Sequence, residues 1–293
     1  MTFRAGLVAV VGRPNTGKST LVNAMVGQKV AIVSDKPQTT RQTVRGVWNG
    51  TDGQVVFTDT PGFHKPRTLL GRRLNDAVSS SVEGVDALIQ VVDAAAGVGR
   101  GDAFVHASQV VPFDGPRLCA VNKTDRVRHH DLVPQLQAAA DLGRFDEIVP
   151  ISAKLGTGVG ELRRLVVELM PEGDRLFPRG EVTDQPFELR VAEIVREKAL
   201  ALMREEIPHS VAVTVEEFER GRELVRIEAI LLVERDSQKG IVIGRGGATL
   251  KGIGTAAREE LEALFGQKVF LSLRVKVLKD WQRDPRALDR LGL

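Results

Sequence analysis

The chain has 293 residues and a formal charge of +3, a length that suits one large or two ordinary domains and a charge too mild to name a partner. Its one cysteine, Cys119, sits in an apolar run, which argues against a disulfide framework and for a reducing compartment, with the thiol read as a small buried hydrophobe. No run of about 18 apolar residues occurs, and the N-terminal Met-Thr-Phe-Arg-Ala-Gly leads straight into a strand, so neither a membrane span nor a signal peptide is expected.

The first predicted strand, Leu7 to Val11, runs into Gly12-Arg13-Pro14-Asn15-Thr16-Gly17-Lys18-Ser19, and Thr20 to Val26 then reads as the first turns of a helix. This is the phosphate-loop pattern GxxxxGK[ST] in its proper strand-to-helix setting. Backbone N–H groups around Gly12 and Gly17 wrap phosphate oxygens, where side chains would obstruct. Lys18 supplies a point charge between the outer phosphates, Ser19 offers its hydroxyl to Mg²⁺, and the helix N-terminus faces the anion. The loop around Thr40 is read as a switch whose hydroxyl reaches Mg²⁺ when the loop closes.

A second apolar run, Val55 to Phe57, leads to Asp59-Thr60-Pro61-Gly62-Phe63. Asp59 at a strand end holds Mg²⁺ through a water, and the Gly62 N–H reaches the γ-phosphate. Ser19, Thr40 and Asp59 are therefore the candidate metal ligands, and Lys18, Thr40, Gly62 and Asn15 the candidate catalytic residues. After Leu118 to Val121 comes Asn122-Lys123-Thr124-Asp125. The Asp125 carboxylate accepts two parallel bonds from guanine, a donor pair adenine lacks, and such a site rejects the wrong base by roughly 10⁴–10⁵-fold. Ser152-Ala153-Lys154, after Ile148 to Ile151, is a backstop for the base. Each string is weak alone, but in this order, each behind an apolar strand, they read as a guanine-nucleotide site. The expected contacts are Gly12 through Thr20, with Arg13, Pro14, Asn15 and Thr16 among them, Asp59 through Phe63, including Thr60 and Pro61, then Asn122, Lys123, Asp125, Ser152, Ala153 and Lys154. Motifs at strand C-termini predict a doubly wound, mostly parallel α/β sheet.

The helical periodicity of Glu161 to Met170 ends at Pro171, and the stretch to Pro186 carries Gly173, Pro178 and Gly180. The expected organisation is a nucleotide domain over 1–171, a linker over 172–185 and a second domain over 186–293. In the latter, a helix from Val191 to Met203 precedes strands Val211 to Val215 and Leu224 to Val233. Then come Ile241-Val242-Ile243-Gly244-Arg245-Gly246-Gly247, a helix to about Phe265 and a strand Val269 to Val277. That order is the α+β arrangement of a type II KH module. Gly244 and Gly247 let the turn lie flat against nucleic-acid phosphates, although a bare Gly-x-x-Gly also suits a tight helix–helix connection.

Charge placement supports the first reading. Thr183 to Glu234 holds 7 basic and 12 acidic residues, whereas Arg235 to Arg283 holds 10 and 5. Lys239, Arg245, Lys251, Arg258, Lys268, Arg274, Lys276 and Lys279 gather around the turn and last strand, fitting a groove that tracks a backbone. The expected ligand is single-stranded RNA, not DNA, contacted by Ile241, Ile243, Gly244, Arg245, Gly246, Gly247 and Lys251. Phe265, Phe270 and Trp281 are the aromatic stacking candidates, the first two with core as the competing role. The histidines His64, His106, His129, His130 and His209 have no metal-ligand spacing, and His129-His130 reads as a solvated loop.

Over essentially its whole length the chain resembles the Era family of bacterial GTPases. The resemblance rests on Gly-Arg-Pro-Asn-x-Gly-Lys-Ser, Gln38-Thr39-Thr40-Arg41, Asp-Thr-Pro-Gly, Asn-Lys-x-Asp, Ser-Ala-Lys and Val-Ile-Gly-Arg-Gly-Gly. It implies a GTP/GDP- and Mg²⁺-binding assembly factor of the 30S ribosomal subunit that binds near the 3′ end of 16S rRNA and acts in its maturation. It also implies a cytoplasmic monomer with peripheral association at the inner face of the cell membrane, for which the sequence carries no anchor.

Phe63 stands where many GTPases carry a water-orienting glutamine, and a phenyl ring neither donates to nor accepts from that water. Slow intrinsic turnover is expected. Related translation-associated GTPases with a hydrophobic residue here use a phosphate-loop asparagine to hold K⁺, so Asn15 is read either as a K⁺ ligand or as an amide pinning the loop. Arg13, Arg41 and Arg45 are expected to be solvated charges away from the phosphates. Two rival readings stand beside the switch: an RNA-binding assembly protein in which nucleotide is mainly structural, and a tRNA-modifying GTPase. The latter needs a further chemical domain and a terminal reactive cysteine, which this chain lacks.

Overall fold

The computed structural model describes residues 2–36, 38–66, 68–203 and 210–293; His209 lies outside them. The chain divides into two compact units, with the main boundary between Asp184 and Gln185; the short stretches Ser34–Thr39 and Thr68–Leu70 group with the second unit.

The first unit is built on a sheet of order β2-β3-β1-β4-β5-β6. Its strands are β1 (Arg4–Val11), β2 (Val44–Asn49), β3 (Gly53–Asp59), β4 (Ala87–Asp93), β5 (Arg117–Asn122) and β6 (Glu147–Pro150). β2 runs antiparallel to β3 and the remaining pairs are parallel. Val8 to Val11, Val55 to Phe57 and Leu118 to Val121 are fully buried, because helices cover both faces of a parallel sheet. Those helices are α1 (Lys18–Val26), α2 (Leu69–Val82), α3 (Arg100–Val105), α4 (His129–Ala140) and α5 (Val159–Leu169). Val10 pairs with Asp59 and Asp93 with Asn122, so the loops after β1, β3, β4 and β5 leave the sheet along one edge. That edge carries the nucleotide motifs. Cys119 is buried within β5, and burial pushes its thiol up to about 12, which leaves it inert. His129 and His130 are exposed but open α4 rather than lying in a loop.

The segment after α5 has no regular element, yet it is fastened to this unit. Gln54, fully buried in β3, accepts from the N–H groups of Leu176 and Phe177 and donates to the Phe177 carbonyl. Val47 N–H donates to the Val182 carbonyl at 2.9 Å, and Asn49 Nδ2 to that of Glu181 at 2.8 Å. A stretch that reads as linker from its prolines and glycines is thus, up to Asp184, a strap along β2 and β3.

The second unit contains α6 (Phe187–Leu202), β7 (Ala212–Arg220), β8 (Leu224–Val233), α7 (Asp236–Ile243), α8 (Ala248–Phe265), β9 (Lys268–Val277) and α9 (Pro285–Arg290). The sheet order is β7-β8-β9, antiparallel then parallel. Val191 and Val195 from α6, Leu231 from β8 and Ile253 and Leu261 from α8 close a single core. β7 extends beyond the predicted Val215: its register shifts between Val215 and Glu217, and a polar end follows that apolar periodicity cannot mark. The closing helix α9 was not predicted, although Asp284 accepts from Arg286 N–H at its N-terminus and Pro285 occupies its first turn, a recognisable start signal. Among the described residues no helix is long and apolar enough to cross a membrane.

Candidate nucleotide and nucleic-acid sites

The phosphate loop is held open by glycine geometry. Gly17 adopts φ +95°, and a Cβ there would stand 2.3 Å from Asn122 Nδ2, so only glycine fits both the left-handed backbone and the close neighbour. Helix α1 begins at the next residue and points its first N–H groups at the loop. Lys18 is 5% exposed, with Nζ donating to the carbonyls of Gly12 (3.2 Å) and Arg13 (2.9 Å). Burial lowers its pKa to about 8, against an opposing pull from the Asp59 charge. The loop therefore carries a desolvated cation that lacks a full counter-charge, which suits it to receive phosphate.

Three oxygens from three segments converge beside it. Ser19 Oγ lies 2.9 Å from Thr40 Oγ1, and Thr40 Oγ1 donates to Asp59 Oδ2 at 3.1 Å. Asp59 is fully buried. Two hydroxyls and a carboxylate in this spacing match the hard-oxygen, partly water-mediated coordination that Mg²⁺ takes. Ser19, Thr40 and Asp59 are thus brought together.

The base motifs meet the loop through side-chain bonds. Asn122 Nδ2 donates to the Thr16 carbonyl at 2.8 Å, and its Oδ1 accepts from Ala153 N–H at 3.0 Å. Lys123, in the left-handed region at φ +66°, donates to the Asn15 carbonyl at 2.7 Å and pairs with Asp93 Oδ2 at 2.6 Å. Both side chains act as braces between loops. Asp125 is exposed and accepts at Oδ1 from Ser152 Oγ–H at 2.6 Å; its remaining lone pairs are available to a base. Lys154 is exposed beside it.

Some expectations change. The Arg13 side chain turns away from the loop and is not a solvated charge: Nε pairs at 2.7 Å with Asp102, which is fully buried, and Nη2 donates to the Gly97 carbonyl. Arg13 can line the nucleotide only by its backbone. Arg41 is buried, and Arg45 pairs with Asp184 at 3.2 Å. Asn15 stands at φ +64° at the exposed tip of the loop. Phe63 is buried and stacks on Phe104 with ring centroids 5.3 Å apart. Asp93, Asp102, His64 and Asn75 were missed. Asp93 had a signal, since it ends an apolar strand as Asp59 and Asn122 end theirs; Asp102 acts through the distant Arg13 and Asn75 through the His64 carbonyl, while His64 bonds the nearby Gly62.

In the second unit α7 ends at Gly244, and a short turn over Arg245–Gly247 leads into α8. Gly244 has φ +74°, and a Cβ there would lie 2.2 Å from Thr249 Oγ1. Arg245, Gly246 and Ile241 are exposed, Val242 is buried, and Ile243 is half-buried. Gly247 at the end of the turn, with Leu250, Lys251 and Arg258 of α8, faces Phe270 and Leu271 of β9 across a groove of about 470 Å³. The charge reading needs trimming, because Arg274 pairs with Glu216 and Glu228, and Lys276 with Glu216, away from any free basic stripe. Of the aromatic candidates, Phe265 takes its competing core role and Trp281 is buried as well, which leaves Phe270, 52% exposed on the groove wall. Among the described residues no cluster of His, Cys, Asp or Glu could hold a metal.

Comparison with known proteins finds relatives of both units. A family model described as a 50S ribosome-binding GTPase matches residues 7–123, and a KH-domain model matches residues 206–282. GTPase Era of Mycolicibacterium smegmatis is 49% identical over 297 residues, covering 99% of each chain. GTPase Era of Mycobacterium tuberculosis is 48% identical over 296 residues at the same coverage. A crystal structure of Aquifex aeolicus Era bound to GDP·AlF4⁻ superposes with a TM-score of 0.95 at 39% identity, covering 99% of both chains. A crystal structure of Era in complex with MgGDPNP and nucleotides 1506–1542 of 16S ribosomal RNA gives a TM-score of 0.95 at 38% identity, with the same coverage. With its phosphate loop, guanine motifs and C-terminal KH domain in one chain, the protein belongs to the Era family of GTPases.

Proposed function

We propose that this chain is a GTP-driven switch that grips the 3′ end of 16S rRNA through its KH groove and acts in 30S subunit assembly and rRNA maturation. The observation that carries the reading is its full-length similarity to an Era whose crystal structure holds MgGDPNP and nucleotides 1506–1542 of 16S rRNA. The matching nucleotide-domain family is named for the 50S subunit; the small-subunit reading is preferred because the full-length relative also accounts for the KH domain.

In this reading Lys18 and the N–H groups of the loop from Gly12 to Thr20 bind the phosphates, Asp125 reads guanine, and Ser152 to Lys154 back the base. Asn122 and Lys123 hold the two loops at the right separation. Ser19, Thr40 and Asp59 would hold Mg²⁺, which supplies charge neutralisation at the outer phosphates. Thr40 and the Gly62 N–H respond to the terminal phosphate, so the loops around them order with GTP and relax after hydrolysis. Asn15 as a K⁺ ligand is a finer proposal. In the KH unit the turn Gly244 to Gly247 approaches the RNA backbone, Lys251 neutralises it, and Ile241, Ile243 and Phe270 lie under bases. A cytoplasmic monomer with peripheral membrane association completes the proposal.

Binding of a fluorescent oligonucleotide carrying the 3′ end of 16S rRNA, set against a scrambled one, tests it in vitro. Preference for the rRNA sequence supports the reading, and equal affinity for both removes it.

A further inference from the structure

The peptide plane between Gly62 and Phe63 is held on both edges. Its N–H donates to the Gly12 carbonyl in the phosphate loop at 3.1 Å. Its carbonyl lies 2.9 Å from His64 Nδ1, and since a carbonyl only accepts, Nδ1 carries the hydrogen. His64 is itself anchored from α2, where Asn75 Nδ2 donates to the His64 carbonyl at 2.7 Å. The Phe63 ring, stacked on Phe104, fastens the far side of the turn. Before the plane, Thr60 Oγ1 donates to the Val10 carbonyl at 2.7 Å. Gly62 is pressed so close to the phosphate loop that a Cβ would stand 2.6 Å from Pro14 Cα.

With Phe63 withdrawn into the core, the polar group this turn retains for the terminal phosphate is the Gly62 N–H. Its direction depends on the peptide planes flanking Gly62, and the plane after it is locked by Gly12 on one edge and His64 on the other. We propose that His64 is a positioning residue of the GTPase reaction: its Nδ1–H holds the Gly62–Phe63 peptide so that the Gly62 N–H faces the γ-phosphate. The proposal rests on the reading of Gly62 given above. A donor aimed in advance at developing charge stabilises the transition state more than the ground state. GDP lacks the γ-phosphate, so His64 acts on turnover and not on GDP affinity.

Asparagine places an N–H the same number of bonds from the backbone as Nδ1, whereas leucine keeps the branching without a donor. GTP turnover and GDP affinity of the full chain are measured for His64→Leu and His64→Asn, with Lys18→Ala as reference. His64→Leu is expected to lower kcat about tenfold, equivalent to about 1.4 kcal/mol of barrier, with GDP affinity unchanged. His64→Asn is expected to recover most of that loss. Wild-type kcat in His64→Leu overturns the proposal, as does GDP affinity that falls in step with kcat, which marks general loosening. An Asn variant as slow as the Leu variant also overturns it and points to proton abstraction by the imidazole. Turnover that survives Lys18→Ala places the chemistry outside this site and removes the nucleotide reading together with the proposal.

Discussion

Asn122 and Thr16 are joined directly: the Asn122 amide donates to the Thr16 carbonyl at 2.8 Å while accepting from Ala153 N–H at 3.0 Å. One buried side chain thereby ties the phosphate loop to the loop behind the base. Its neighbour Lys123 adds a second tie at the Asn15 carbonyl. The Asn-Lys-Thr-Asp motif divides its labour, with two residues setting loop separation and Asp125 left to read the base.

That division predicts different failures at the two ends of the motif. Asn122→Ala strands a buried carbonyl and a buried N–H, a cost of about 1–3 kcal/mol each, so thermal stability and affinity for every nucleotide should drop together. Asp125→Asn should leave the melting temperature nearly unchanged, because Ser152 still has an oxygen to donate to. It should lose guanine nucleotides and gain xanthine ones, whose carbonyl suits the amide. Melting curves and titrations with GDP and XDP check both, and unchanged GDP affinity in Asp125→Asn would contradict the base assignment.

Lys18 makes binding pH-dependent. With its pKa lowered to about 8 by burial, it is partly neutral at about pH 8.5, and phosphate oxygens draw the proton back. GDP affinity should be level at neutral pH and fall as pH rises through about 8, with proton uptake on binding. Calorimetry at about pH 8.5 in two buffers of different ionisation enthalpy measures that uptake; identical heats would refute it. The stability effect runs the other way. The folded pKa lies below the ordinary 10.5, so the unfolded chain binds the extra proton between about 8 and 10.5. Nucleotide-free protein should gain stability from this group, about 3 kcal/mol in total, as pH rises through that window.

Exchange of Na⁺ for K⁺ at constant ionic strength tests Asn15. If K⁺ sits there between the outer phosphates, turnover rises in K⁺, and Asn15→Ala erases the difference while keeping most nucleotide affinity. Equal rates in the two salts leave Asn15 a loop residue.

The glycine turn of the KH unit is open to a sharper test. At Gly246, φ is +61° with no atom within 4 Å of an added Cβ, and aspartate tolerates that backbone better than most residues. Arg245→Asp with Gly246→Asp should therefore fold, place two carboxylates where phosphates approach and lower RNA affinity at least about tenfold. GTP turnover of the isolated protein should be unaffected. Undiminished RNA binding would return the turn to a tight connection between α7 and α8.

The phosphate loop, Asp59, Asp125 and the Gly244 to Gly247 turn were legible because each works through contiguous residues behind an apolar strand or between helices. What could not be read were partnerships across the fold. Arg13 has no local mark of its pairing with Asp102, which is 89 positions away. Phe63 is visible as a missing glutamine, but not as one half of a stack with Phe104. Phe265, Phe270 and Trp281 have the same character in sequence, and only tertiary packing separates the exposed ring from the two buried ones.

The central claim is that GTP binding and hydrolysis in the first unit serve an RNA grip on 16S rRNA in the second. Crosslinking in growing cells, followed by sequencing of the RNA attached to this protein, tests it most directly. The account predicts reads concentrated at the 3′ end of small-subunit rRNA, lost in the Arg245→Asp, Gly246→Asp variant. Reads scattered over tRNA, or unchanged in that variant, would contradict it.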